Sequence, residues 1–208
     1  MKSDVPELYH KYFVAKGDER LELFRPLAKQ FDVHKGIYPG SFVHITPSFV
    51  IPEMVYIDTD KRCSRFFSDE RTMDFIARHK EYPGQPIVRF HFADFADQVP
   101  EEEGSFDLLI SLYAGFISKY CKQFLKKGGI LLANNSHGDS SLAYLDPDFR
   151  FIGVVKRRGD KFRLVLDGLE DYFQTKTGKP IDRDTVERTM RGAGFTKTAY
   201  AYLFERVN

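Results

Sequence analysis

The chain has no tryptophan, only two cysteines in 208 residues, and almost no charge imbalance, with 31 Lys and Arg against 30 Asp and Glu. Cys63 and Cys121 lie far apart and neither belongs to a CxxC pair, which excludes a disulfide framework and a cysteine-based structural zinc site. Two buried free thiols are the expectation. The even charge balance removes the basic footprint of a dedicated nucleic-acid binder, so nucleic acid is not an expected partner. No stretch approaches the roughly 18 apolar residues of a membrane span, and the N-terminal MKSDVPELYHKYF carries acids and a proline where a signal peptide has an apolar run. A cytoplasmic protein with no membrane partner is expected. GxGxxG and GxxxxGK[ST] are both absent, which argues against a pyrophosphate at a helix N-terminus and against a P-loop enzyme. GxSxG is missing too, so the adjacent Ser136 and His137 do not make a hydrolase.

What is present is globular: 42% hydrophobic and 29% charged residues, enough for a packed core and too apolar for disorder. The length suits one domain over 1–208. Residues 1–32 read as leading helices. Ser3 or Asp4 caps the first, with Pro6 in its first turn and Gly17 ending it. Asp18 caps a second, which runs through about Phe31 with Pro26 as a kink.

From Val33 the pattern becomes short apolar strands alternating with helical stretches, the signature of parallel βαβ construction. The expected strands are His34 to Tyr38, Met54 to Ile57, Ile87 to Phe92, Phe106 to Leu112 and Gly129 to Asn134. Helices are expected around Lys61 to Phe67, Ser68 to Lys80 and Phe116 to Leu125. DLLISLY is apolar on both faces, which places the fourth strand in the interior of the sheet. FRFIGVVKRRGDKFRLVL reads as a hairpin near 149–166 turning at Gly159 and Asp160. A last helix, from about Asp184 to Arg191, is capped by Asp182 or Asp184 and stopped at Gly192 or Gly194, before a closing strand from Thr198 to Arg206.

Ligands of open parallel sheets bind beyond the carboxyl ends of the strands, where the strand order reverses. The first strand runs into GIYPGSF, where Gly40 lets backbone approach a ligand or simply makes a turn. The second ends in YIDTD, which offers Asp58 or Asp60 to the hydroxyls of a ribose, or as a helix cap. Tyr113 follows the fourth strand, and Asn134, Asn135, Ser136, His137 and Asp139 follow the fifth, all at the edge where a substrate would sit. His137 is a candidate proton acceptor for a hydroxyl or ammonium substrate, and equally a loop histidine bonded to backbone or water. Lys156, Arg157, Arg158, Lys161 and Arg163 gather at the hairpin tip, where solvated charge is ordinary.

Taken in order, IYPGSF, YIDTD, FADF, FDLLIS, FLKKGGILLANN and TMRGAGF resemble the successive motifs of the class I S-adenosylmethionine (SAM) dependent methyltransferases, over most of the chain from Val33 onward. The resemblance implies a three-layer Rossmann-like α/β sandwich over 33–208, with a mostly parallel seven-stranded sheet and an antiparallel closing strand. It implies SAM as cofactor, held by Tyr38, Gly40 and Ser41 after the first strand, Asp58 and Thr59 after the second, Asp94 and Phe95 after the third, and Ser111 at the end of the fourth. It also implies methyl transfer to a small-molecule substrate, with Tyr113, Asn135 and His137 as the residues nearest the chemistry. Such transfer depends on alignment more than on covalent help, because the sulfonium is already activated. SLYAG lacks the aromatic Pro-Pro motif of amino-methylating nucleic-acid enzymes. The match departs from the family at Phe42, where a further glycine is usual. That departure keeps a second reading open: a Rossmann-like module that binds a nucleoside or a partner protein without transferring a methyl group.

Overall fold

The computed structural model describes residues 5–208, so Ser3 and Asp4, the expected first caps, lie outside the described residues. Helix α1 (Glu7–Tyr12) is followed by a 3-10 turn that ends at Gly17, whose positive φ serves the left-handed stop expected there. Helix α2 (Leu21–Gln30) starts later than expected, because Asp18 does not cap it. Arg20, itself left-handed, occupies the N-cap, and Asp18 pairs with the Arg20 guanidinium instead. Pro26 is accommodated inside α2.

Strands β1 (Lys35–Pro39), β2 (Glu53–Asp58), β3 (Ile87–Phe92), β4 (Phe106–Ser111) and β5 (Leu125–Ala133) are parallel neighbours in the order β3-β2-β1-β4-β5. Between β2 and β3 lie α3 (Lys61–Phe67) and α4 (Glu70–His79), each begun by an aspartate side chain, Asp60 and Asp69, that accepts a first-turn N–H. No helix joins β1 to β2. Residues 40–52 fold into a loop with a 3-10 turn at Thr46–Phe49, because Pro47 and the buried Ile45, Phe49 and Ile51 favour compact packing over a regular helix. The crossover from β4 to β5 is a short helix, α5 (Ile117–Cys121), and a 3-10 turn, and α6 (Asp139–Tyr144) follows β5.

The hairpin turns where expected, with β6 (Phe149–Arg158) and β7 (Lys161–Val165) paired around Gly159 and Asp160. Helix α7 (Arg183–Thr189) is capped by Asp182, but Met190, in the left-handed region, ends it rather than Gly192 or Gly194. Strand β8 (Ala201–Arg206) inserts antiparallel between β5 and β6. The sheet therefore has eight strands, not seven, because both arms of the hairpin join it beyond β8.

Strand alternation divides the core. Tyr38, Met54, Tyr56, Leu108, Ile110 and Leu132 face α1 to α4, whereas Ile37, Val55, Ile57, Leu109, Leu131 and Ala133 face α5 and the chain after β5. Each fully buried aliphatic side chain of this kind contributes about 1.5–3 kcal/mol. Cys63 and Cys121 are free, fully buried thiols, and burial pushes both up to about 12, out of the reactive range. Among the described residues, no helix is long and apolar enough to cross a membrane.

Candidate functional site

The strand order reverses between β1 and β4, so the loops after β1, β2, β4 and β5 meet at one edge. Two of the expected cofactor residues are interior to it. Tyr38 is buried, and its hydroxyl meets Nδ1 of His44 at 3.3 Å. His44 donates its Nε2–H to the Glu19 carbonyl at 2.9 Å and stacks on Phe13, which ties the leading segment to the sheet. Burial depresses the His44 imidazole to about 3, so it is neutral. Ser41 is also buried and donates to the Phe42 carbonyl.

Gly40 has φ +66°, and a β-carbon there would collide with that of Ala114 from the loop after β4. The bare backbone of Gly40 thus admits the neighbouring loop at Ala114. Phe42, also left-handed at φ +48°, donates its N–H to Oδ2 of Asp58 at 2.7 Å. Its ring lies between Tyr12, at 4.9 Å between centroids, and the Arg62 guanidinium, at 4.7 Å. Of the two aspartates, Asp60 caps α3 and Asp58 turns to the β1 loop. Asp58 is half-buried and its Oδ1 accepts the Asp60 N–H at 2.8 Å, so each carboxylate oxygen takes one N–H and keeps one lone pair.

Thr59 and Asp94 are exposed at the same edge, with Asp94 bonded to the Ala96 N–H. Phe95 is half-buried beside Gly115 and Tyr120. Ser111 is fully enclosed. It and Ser118 each donate a hydroxyl at 2.5 Å to Asp139, and the Ser118 N–H adds a further bond. Asp139, expected as an edge residue, is instead a buried brace between the end of β4, the start of α5 and α6. Burial pushes its carboxyl up to about 6 despite the three donors.

Beyond β5 the candidates separate. Asn135 is structural: its Nδ2 donates to the Ala193 carbonyl, its Oδ1 accepts from Ser140 and Ser141, and its side chain leaves no room for a β-carbon at Gly192. His137 is half-buried, with Nδ1 3.1 Å from the Ser136 hydroxyl. Tyr113 is 49% exposed with φ +65°, a strained conformation for an aromatic residue. Tyr113, Asn134, Ser136, Ala199, Tyr200 and Tyr202 help to line a pocket of about 220 Å³ at the ends of β4 and β5, where β8 begins. Sequence reasoning missed Tyr200 and also Arg20, whose guanidinium stands 5.2 Å over the Tyr113 ring. Nothing local marks Arg20, which arrives from the leading segment. Tyr200, alternating with Tyr202 in AYAYLF, carried a signal only in hindsight.

Of the residues that would hold SAM, Asp58 and Asp94 stand at the carboxyl ends of β2 and β3, and Asp58 has acceptor capacity to spare, whereas Ala114 covers the bare face of Gly40.

No family model matches the chain, and no curated protein matches it. Solved structures match weakly. The YcgJ protein from Bacillus subtilis is 19% identical over 59% of this chain and 53% of its own length, about half, with a TM-score of 0.42. The O-methyltransferase TomG from Streptomyces achromogenes, solved in complex with SAM, is 13% identical over 70% of this chain and 76% of that one, at 0.47. A methyltransferase from Geobacter sulfurreducens is 15% identical over 70% and 77%, at 0.45. Likenesses of this strength carry no argument, and the sheet order β3-β2-β1-β4-β5 by itself is that of a Rossmann-like α/β fold.

Proposed function

We propose that the chain is a SAM-dependent methyltransferase acting on a small molecule. The observation that carries this reading is the half-buried Asp58 carboxylate at the carboxyl end of β2, next to the strand reversal, with a free lone pair on each oxygen for the two ribose hydroxyls. Asp58 and Asp94 would hold the nucleoside of SAM, and the group would supply an electrophilic methyl. The acceptor would enter the pocket between Tyr113, Asn134 and Tyr200, which adjoins the same edge. His137, on the rim loop, would take the acceptor's proton.

A second reading, nucleoside binding without methyl transfer, is favoured by one observation, the Ala114 side chain seated on Gly40 where the methionine end would lie. A melting scan separates the two. SAM at 100 times its Kd stabilises by about 2.7 kcal/mol and raises the midpoint by roughly 5–10 °C. Asp58→Ala is expected to remove most of that rise, whereas Asp58→Asn, which keeps one acceptor oxygen, retains part of it. An Asp58→Ala protein that responds to SAM like the parent removes Asp58 from the site. If adenosine shifts the midpoint as far as SAM, the methionine end makes no contacts and the second reading holds. A shift with NAD alone rules out both.

A further inference from the structure

The pocket where β4 and β5 end carries two buried polar atoms with no hydrogen-bond partner, Nδ2 of Asn134 and the hydroxyl of Tyr200. The Asn134 amide is not free to turn, because its Oδ1 accepts the Ser136 hydroxyl at 2.9 Å, and the side chain is only 4% exposed. Nδ2 is consequently a donor held in place on a residue that lines the pocket. Tyr200 neighbours Tyr113 but makes no hydrogen bond of proper geometry with it. Buried polar groups are paired in the great majority of cases, so two unpaired ones lining the same small cavity mark a ligand position.

No Asp, Glu, Lys or Arg lines the pocket, but Arg20 stands over its Tyr113 ring and Arg157 over its Tyr200 ring. Asp18 is shared between Arg20, whose side chain is 9% exposed, and Arg157 at 3.0 Å, so this trio carries one positive charge in excess. Burial alone would raise Asp18, but the two guanidinia hold it below the usual carboxylate range, so it stays ionised and committed to them. The Arg20 charge also reaches the Tyr200 hydroxyl. The remaining wall mixes the polar Asn135, Ser136 and Thr198 with Ala199 and the rings of Tyr113 and Tyr202, around a volume of about 220 Å³.

We infer that this pocket binds a small monocarboxylate with an apolar body, its two oxygens accepting from Asn134 Nδ2 and the Tyr200 hydroxyl. The inference names the substrate class of the acceptor pocket and rests on the reading of that pocket as the acceptor side, but its test needs no SAM.

Benzoate is the probe, titrated into the full chain by calorimetry, with benzamide as the uncharged partner of the same shape. Saturable binding of benzoate is expected, with benzamide and the Tyr200→Phe protein each weaker by about 10-fold or more, as for the loss of a hydrogen bond to a charged group. Asn134→Asp keeps the acceptor for Ser136 and replaces the donor with negative charge, so it should abolish binding. Where that variant fails to fold, Tyr200→Phe, which removes a single oxygen, carries the test. Equal affinity for benzoate and benzamide, a Tyr200→Phe protein that binds like the parent, or no saturable signal up to about 10 mM benzoate overturns the inference. A protein that binds benzoate in this pattern and ignores SAM keeps the pocket and loses the methyltransferase reading. The reverse result keeps the nucleoside site and loses the carboxylate.

Discussion

Gly40→Ala is expected to destabilise the protein by about 2–5 kcal/mol, a fall in the melting midpoint of roughly 5–15 °C. Two costs add. The position is left-handed, which costs an L side chain about 1–2 kcal/mol, and the new methyl group meets the β-carbon of Ala114 in a packed loop contact worth about 1–3 kcal/mol of overpacking. The costs are separable by a double-mutant cycle. Ala114→Gly in the Gly40→Ala background removes the collision and leaves the backbone cost, so roughly half of the loss should return. Strict additivity of the two substitutions would mean that the loops after β1 and β4 do not touch in solution. Ala114→Gly alone also opens the face of Gly40, so a larger melting response to SAM than that of the parent is expected if the methionine end binds there.

Asp139→Asn should change the pH dependence of stability between pH 4 and pH 8. Burial holds the Asp139 carboxyl at about 6, above its ordinary value of 3.8, so the folded state binds this proton more tightly than the unfolded state does. Its contribution is fully present below about pH 4 and is lost as the pH rises through 6. A shift of about two pKa units corresponds to ~3 kcal/mol. Asp18, Glu81 and Asp107 act in the opposite sense: held low by their cationic partners, they stabilise above their unfolded values, and that contribution is lost in acid. The comparison is therefore made on the difference between parent and Asp139→Asn. The parent should lose about 3 kcal/mol relative to the variant between pH 4 and pH 8, read from paired denaturant melts. Parallel curves across that range would show that Asp139 is not buried as a titrating carboxyl. The asparagine keeps one acceptor oxygen, so one of the two serine hydroxyls must turn and accept from the new amide N–H; that cost is independent of pH and drops out of the comparison.

The strand positions and the hairpin were legible because they rest on alternation, which each segment carries within itself. FDLLIS could only be an interior strand, since it has no polar face to give to water. Local chemistry also fixed the turn at Gly159 and Asp160 and the cap at Asp182. The same local logic failed at Asp18, where a side chain that looks like a cap found a stronger partner in Arg20 and a second in Arg157, from the far end of the chain. It failed again at Asp139, which the start of α5 folds over and whose hydrogen bonds Ser111 and Ser118 take, whereas Asn135 lines the pocket while also bonding the Ala193 carbonyl.

By itself, then, the sequence determined the parallel α/β class, the two buried thiols and the carboxyl edge at which Asp58 and Asp94 stand, because periodicity and turn chemistry are properties of short stretches. The tertiary structure alone decided which edge residues keep an unpaired polar group. Hydrogen-bonding capacity is finite, and only the folded chain shows that Asn135 and Ser111 spend theirs on protein, whereas Asn134 Nδ2 and the Tyr200 hydroxyl are left without a partner.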